Sequence, residues 1–139
     1  MSLFRIMDIA GSALGAQTIR MNTTASNMAN ANSASSSIDQ TYRARHPVFS
    51  TLVDDFAFDD DPSAGVKVDG IVESEAPLRK EYNPHHPLAN EDGYVFMPNV
   101  NVIEEMTNMI SASRSYQTNV EIMEASKQML QQALTLGQR

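Results

Sequence analysis

The chain has 139 residues, a net charge of −7 and no cysteine. That length allows one compact domain or one elongated pair of elements with a small insert, and it excludes a large multidomain enzyme. The negative charge opposes binding to nucleic acid phosphates, and the lack of thiols excludes disulfides and thiolate metal sites. We therefore expect no nucleic acid partner and no cysteine-based chemistry.

The sequence contains no segment typical of a membrane span or a secretory signal. No stretch approaches the roughly eighteen uninterrupted apolar residues of a transmembrane helix. The first residues also lack an apolar run followed by a small-residue cleavage site. We expect no direct membrane insertion and, if the protein leaves the cytoplasm, export by a route other than the Sec pathway.

Charge and composition divide the chain into three parts. Residues 1–53 carry a net charge of +2, residues 54–92 carry −8 and residues 93–139 carry −1. The acidic middle part also holds four of the six prolines, so the two ends must be considered separately. Together with the periodicities below, this predicts three regions: an N-terminal axial helix with a serine-rich end at 1–37, a small β-containing insert with an acidic loop at 38–97, and a C-terminal axial helix at 98–139.

The N-terminal segment predicts a helix from Leu3 to about Ala31, because it lacks proline and its apolar residues recur at helical spacing. Only three charged residues occur in 1–38, whereas a solvated helix usually carries pairs of Glu and Lys. We therefore expect this helix to pack among several others. Four side chains spaced by seven residues form its apolar stripe: Met7, Leu14, Met21 and Met28.

The C-terminal segment predicts a second and longer helix. Pro98 with Asn99 or Asn101 provides start signals, and Gly137 provides a stop signal. A helix of roughly 35 residues would be about 50 Å long, which is more than a compact domain of this size needs. Its stripe alternates steps of four and three and includes Val102, Met106, Met109, Tyr116, Val120, Met123, Leu130 and Leu134.

Short strands are predicted between the helices, at 47–53, 65–73 and 77–82, because these runs partly alternate and are bounded by Pro, Gly or Asp. Residues 54–62 include three consecutive aspartates and predict a solvated acidic loop. The predicted fold is mainly α, with long terminal helices forming a coiled-coil-like antiparallel pair and a small β insert between them.

Catalytic and metal-binding patterns are poorly represented. His85 and His86 lie near acidic residues, but adjacent side chains on an extended segment point to opposite faces. The aspartates at 59–61 lack the glycine and the downstream glutamate of an EF-hand loop. There is no G-x-S-x-G, P-loop or G-x-G-x-x-G pattern. We expect no enzyme activity, no metal, no cofactor and no small-molecule substrate.

Two motifs in the first helix resemble a known family. DIAGSALGAQ at 8–17 and ASNMANANS at 25–33 are similar to the N-terminal signature of the axial proteins that build the rod and hook of the bacterial flagellum. The segments at 42–49, 65–74 and 82–138 are similar to rod proteins of that family, so the resemblance covers nearly the whole chain. Departures from the family pattern are Met28, the SASSS run at 33–37 and the aspartates at 59–61.

The resemblance implies a structural subunit of the flagellar basal-body rod. It implies export in an unfolded state by the flagellar type III apparatus, followed by helical polymerisation into a drive-shaft tube that crosses the periplasm. The implied partners are further copies of the chain, other rod proteins, and basal-body ring or export-gate proteins. The terminal helices would form the inner coiled-coil layer, with the β insert outside it.

The candidate site is therefore an assembly surface. By resemblance, Gly93, Tyr94, Pro98 and Asn99 mark the turn that leads into the C-terminal helix, where Gly93 can adopt a positive φ. The expected subunit interface comprises both helix stripes and two asparagines of the ASNMAN motif: Leu3, Met7, Leu14, Met21, Asn27, Met28, Asn30, Val102, Met106, Met109, Tyr116, Val120, Met123, Leu130 and Leu134.

Two other functions are compatible with the sequence. A soluble helical-hairpin adaptor or regulator could use the same stripes to bind one partner helix. A metal-dependent hydrolase could use His85, His86 and the acidic loop. Light scattering separates the adaptor from an assembling subunit, and metal analysis of the purified protein decides the hydrolase.

Overall fold

A computed structural model describes residues 3–53 and 63–137. The predicted acidic loop at 54–62 lies outside the described residues. The elements are α1 (Leu3–Asn30), β1 (Arg45–Val53), β2 (Ser63–Glu73), β3 (Arg79–Tyr82), β4 (Tyr94–Met97) and α2 (Val102–Leu136). The two helices together hold a little under half of the chain. This confirms the prediction of two long terminal helices with a small β region between them.

Helix α1 ends one residue before the predicted boundary, and the serine-rich segment follows it. The backbone N–H of Ser33 bonds to the carbonyl of Asn30 at 3.1 Å. Ser35 then forms an isolated antiparallel bridge with Phe96, with two N–H to O distances of 2.9 Å. The serine-rich segment therefore joins the edge of a sheet after it ends the helix.

Helix α2 has 35 residues, the length that its periodicity predicted. Asn101 is its N-cap, because its side chain accepts a hydrogen bond from the backbone N–H of Ile103 at 3.2 Å. Gly137 ends the helix with φ −75°, and its N–H bonds to the carbonyl of Ala133 at 3.1 Å. At about 1.5 Å per residue, α2 is roughly 52 Å long.

The strands form two separate antiparallel pairs. β1 pairs with β2, with register shifts between Val48 and Phe49 and between Leu52 and Val53. β3 pairs with β4, which places Tyr82 opposite Tyr94. The sequence predicted β1, β2 and β3 with slightly different ends but did not predict β4, which we expected to be part of the turn before α2.

The buried core is thin. Five of the eight buried apolar residues within 3–53 and 63–137 are alanines, and none is leucine or isoleucine. One cluster of Ala31, Ala44 and Val100, with Tyr42 packed against it, lies where the two helices meet the sheets. Burial of such small side chains contributes little hydrophobic free energy. Neither α1 nor α2 is sufficiently long and apolar to cross a membrane.

Helix α1 has two covered sides. On one side it contacts α2, where the guanidinium of Arg20 donates to the Asn108 side-chain oxygen at 3.1 Å. On another side it contacts the β1–β2 pair, where the Ser12 hydroxyl accepts from the backbone N–H of Val66 at 3.1 Å. We expected the low charge of α1 to reflect packing against helices alone. The chain's own strands cover part of it.

Candidate assembly interface

Asn27 holds the start of β1 against the end of α1. Its Oδ1 accepts from the backbone N–H of Arg45 at 2.9 Å and from the Tyr42 hydroxyl at 2.8 Å, and its Nδ2 donates to the Arg45 carbonyl at 2.8 Å. The residue is fully buried within its own chain. We therefore move Asn27 from the predicted interface to the interior, because none of its surface remains for a neighbouring subunit.

Asn99, three residues before α2, forms hydrogen bonds with the backbone next to Arg45. Its Oδ1 accepts from the N–H of Ala44 at 2.8 Å, and its Nδ2 donates to the carbonyls of Ser74 and Ala76 at 3.3 and 2.9 Å. The cap of α2 is Asn101, so of the two asparagines proposed as start signals one caps the helix and the other fastens the insert.

In the turn before α2, Gly93 has the positive φ that we expected of it. This residue has φ +80°, and a Cβ placed on it would lie 3.0 Å from Cε2 of Tyr82. Asn90 supports the turn by accepting from the N–H of Tyr94 at 2.8 Å. Pro98 is fully buried, and its carbonyl accepts from Nε of Arg79 at 3.3 Å. The four predicted turn residues thus lie together around β4.

Most residues of the predicted stripes are half-buried in the single chain. On α1 these are Leu3, Met7, Leu14, Met21, Met28 and Asn30; on α2 they are Met109, Tyr116, Val120, Met123 and Leu130. Val102, Met106 and Leu134 are 42%, 53% and 63% exposed. Each of these side chains keeps accessible surface that contact with another molecule could bury.

A second stripe on α1 was missed in the sequence. Five exposed residues follow one another in steps of three and four, so they share one face: Gly15, Thr18, Asn22, Ala25 and Ala29. None is charged, and all are small or medium in size. The spacing of these small, uncharged residues is present in the sequence, but a pattern based on large apolar residues does not include them. α2 also exposes apolar side chains, with Ile103 77% and Leu136 75% exposed.

His85 and His86 lie in a turn between β3 and β4. His85 is exposed, and Nδ1 of His86 accepts from the backbone N–H of Leu88 at 3.1 Å. Across the described ranges, 3–53 and 63–137, there is no group of three or more His, Asp or Glu side chains placed to hold a metal ion. The aspartates at 59–61 lie outside those ranges.

Comparison with known proteins gives consistent matches to flagellar rod proteins. A family described as flagella basal body rod protein matches residues 7–34, and one described as flagellar basal body rod FlgEFG protein C-terminal matches residues 91–136. These two matches fall on α1 and on β4 with α2.

Full-length relatives give a narrower assignment. The flagellar basal-body rod protein FlgC of Salmonella typhimurium is 51% identical over 138 residues, which cover 99% of this chain and all of that protein. FlgC of Escherichia coli O6:H1 is 50% identical with the same coverage. FlgC of Buchnera aphidicola subsp. Acyrthosiphon pisum is 40% identical over 143 residues, with 99% of this chain and all of that protein covered.

These relatives confirm the resemblance inferred from the motifs in α1 and around α2. They are named as rod proteins and not as enzymes, and their identity extends over nearly the whole chain. The chain therefore belongs to the FlgC family of flagellar basal-body rod proteins and is a structural protein of the basal-body rod.

Proposed function

We propose that this chain is exported unfolded by the flagellar type III apparatus and then polymerises helically, as part of the drive-shaft tube of the proximal rod in the periplasm. One observation carries the assembly step. α1 is covered on two sides by its own chain and presents an uncharged face from Gly15 to Ala29 on a third. An isolated protein would normally solvate such a face with charged side chains.

The terminal helices would supply the inner layer of the tube as an antiparallel, coiled-coil-like pair. Two contacts support this orientation. Arg20, late in α1, bonds to Asn108, early in α2. Gly11, early in α1, lies close to Met123, late in α2, with 3.9 Å between a Cβ built on the glycine and the methionine methyl. The order of contacts is thus reversed along the two helices.

The proposed interface keeps the predicted stripe residues other than Asn27 and adds the exposed face of α1. Its partners are further copies of this chain, other rod proteins, and basal-body ring or export-gate proteins. We also propose that residues 1–37 and 98–139 form the axial layer and that residues 38–97 lie outside it. A head-to-tail contact that does not close into a ring produces a helical filament.

Export in an unfolded state is supported by the composition of the core. The buried apolar side chains in the described part of the chain are mainly alanine, so the single chain gains little hydrophobic free energy on folding. The lack of cysteine also prevents incorrect disulfides in an oxidising compartment. Both features favour a chain that is easily kept unfolded before it assembles.

Variants in a strain that lacks the chromosomal copy would separate export from assembly. Deletion of residues 2–30 should abolish both, because the segment would serve as the export address and later as packing surface. Leu14→Asp should still be exported but should not enter the rod. Ser36→Asp, which adds the same charge at an exposed position outside the helices, is the control and should assemble. If Leu14→Asp assembles normally, the stripe is not part of the interface.

The adaptor hypothesis makes a different prediction. An adaptor should remain a monomer or a dimer at every concentration, whereas a rod subunit should form large assemblies when concentrated. Light scattering over a concentration series of the purified full-length chain distinguishes them. A constant mass would contradict polymerisation of this chain with itself.

A further inference from the structure

Within residues 3–53 and 63–137, hydrogen bonds attach the β1–β2 pair, which we call the hairpin, to α1 and to the segment before α2 at two places. Its base consists of Ala44, directly before β1, and Arg45, the first residue of β1. Its far end consists of Gly65 and Val66, in β2. The two attachments differ in the number of hydrogen bonds and in what remains unpaired when they are broken.

The base is attached through two asparagine side chains. Asn27 forms hydrogen bonds with both backbone groups of Arg45, at 2.9 and 2.8 Å, and Asn99 accepts from the N–H of Ala44 at 2.8 Å. The N–H of Ser74 in turn donates to the Ala44 carbonyl at 2.7 Å. Because Asn27 is fully buried, removal of Arg45 would leave its Nδ2 without a partner away from water, while Oδ1 would keep only the Tyr42 hydroxyl, and this is unfavourable.

The far end is attached through Ser12 of α1. The hydroxyl accepts from the N–H of Val66 at 3.1 Å and donates to the carbonyl of Ile9, in its own helix, at 2.7 Å. If Val66 leaves, the hydroxyl keeps its bond to Ile9 and the freed N–H is hydrated. Breaking this attachment therefore leaves no buried polar group unpaired, in contrast to the base.

Glycine is required for the close approach at the far end. Gly65 has φ +145°, and a Cβ placed on it would clash with the Ser12 hydroxyl oxygen. Any side chain at this position would have to displace the hairpin from α1 or shift Ser12. The far end is thus a contact that a single methyl group can disturb.

The hairpin and α1 match in length between the two attachments. Fifteen residues of helix separate Ser12 from Asn27, which is about 22 Å. In the hairpin, Val66 lies opposite Thr51, six residues after Arg45, which is about 20 Å of strand. Ala16 and Thr23 are buried and lie on the same face of α1 as Ser12 and Asn27, which is the face that both attachments of the hairpin reach.

We propose that the hairpin is a strap, hinged at Ala44–Arg45 and latched at Ser12. Its far end leaves α1 while its base stays bound to Asn27 and Asn99, and this movement uncovers Ala16. The register shifts at Val48/Phe49 and Leu52/Val53 are points at which the strand can bend. The movement requires no partner, so it is separate from the proposed assembly.

Residue-resolved amide exchange by NMR, on the full chain at a concentration where light scattering shows a monomer, tests the strap. In the wild type, the Val66 amide should be at least about tenfold less protected than the amides of Ala44 and Arg45, since local opening exposes it alone. Ser12→Ala and Gly65→Ala both open the latch. Each should broaden the Ala16 methyl signal in the presence of a soluble nitroxide and leave the protection of Ala44 and Arg45 unchanged.

Thr118→Ala is the matched control, because the exposed Thr118 hydroxyl donates to the Arg114 carbonyl of its own helix, α2, at 3.0 Å and belongs to neither the hairpin attachments nor the proposed interface. It should change neither the exchange rates nor the Ala16 signal. Three results would overturn the strap. The first is equal protection of Val66 and Arg45 in the wild type. The second is an Ala16 methyl that stays shielded in both latch variants. The third is loss of Arg45 protection together with that of Val66 in either variant.

Discussion

The side chain of Asn27 in α1 forms the two hydrogen bonds with Arg45 that a neighbouring β-strand would form. The Arg45 N–H lies 2.9 Å from Oδ1 and its carbonyl lies 2.8 Å from Nδ2. A helix side chain thereby completes the edge of a strand that starts fifteen residues after the helix ends. The end of α1 and the start of the insert are one structural unit, although the predicted boundary between residues 37 and 38 separates them.

Asn27→Ala is expected to destabilise the chain by about 3 kcal/mol, because it removes the side-chain partner of both Arg45 backbone groups and one of the two partners of the Tyr42 hydroxyl, which keeps Ser26 at 3.3 Å. Asn30→Ala is the control from the same motif. Asn30 donates only to the Ser26 carbonyl of its own helix, so its loss should cost about 1 kcal/mol or less. Urea unfolding of both variants measures the difference, and equal costs would contradict the role given to Asn27.

Gly93→Ala is expected to destabilise the turn before α2 by about 2 kcal/mol. A residue with a side chain is strained at φ +80°, and the new Cβ would crowd the Tyr82 ring at 3.0 Å. Gly70→Ala is the matched control, because Gly70 has no positive φ and nothing lies within 4 Å of a Cβ built on it. Thermal unfolding should show a lower Tm for the first variant alone. A Gly93 variant as stable as the Gly70 variant would show that the turn tolerates a side chain.

Ala25→Glu is expected to leave the folded chain intact and to abolish its assembly. Ala25 is exposed on the uncharged face of α1, so a glutamate there is solvated in the monomer but would be desolvated against a neighbouring helix. Gln40→Glu adds the same charge at an exposed position outside the helices. Circular dichroism should show both variants folded, while soft-agar motility should be lost only for Ala25→Glu. Motile Ala25→Glu cells would remove this face from the interface.

Met106→Asp is the corresponding prediction for α2. Met106 is 53% exposed and belongs to the predicted stripe, so the carboxylate should be tolerated in the monomer but not in the rod. Asn83→Asp, in the exposed turn after β3, is the control. Quantifying each variant in isolated basal bodies tests the prediction. Incorporation of Met106→Asp at the level of the control would contradict it.

The double variant His85→Ala, His86→Ala is expected to support normal swimming. The only hydrogen bond that the structure gives these rings within 63–137 is from the N–H of Leu88 to Nδ1 of His86, which stabilises the local turn. Its loss should cost about 1 kcal/mol. Swimming speed and metal content of the purified chain are the measurements. Immotile cells with folded protein would revive the metal-site hypothesis.

Features that depend on local spacing could be predicted from the sequence, whereas features that depend on long-range contacts could not. Both helices were predictable, because seven-residue spacing repeats over many turns within each segment. β4 was not, because four residues between Gly93 and Pro98 are too few to establish alternation, and its partner β3 is similarly short. In the structure, the predicted stripe residues lie at half-buried or exposed positions. The burial of Asn27 was missed, because its partner lies 18 residues away and has no local signature.

The latch between Ser12 and Val66 was unpredictable for the same reason. The two residues are 54 positions apart, and nothing in the spacing of α1 distinguishes Ser12 from an ordinary small residue. In the sequence, Gly65 indicated only the start of a predicted strand and not the contact with Ser12. Contacts of this kind depend on where the hairpin lies, which periodicity does not specify.

Electron microscopy of basal bodies isolated from cells that lack this chain is the most direct test that it is a structural subunit of the rod. We predict rings without a complete rod, restored by the wild-type chain and by Gln40→Glu but not by Ala25→Glu. Complete rods in the cells that lack the chain would contradict the account.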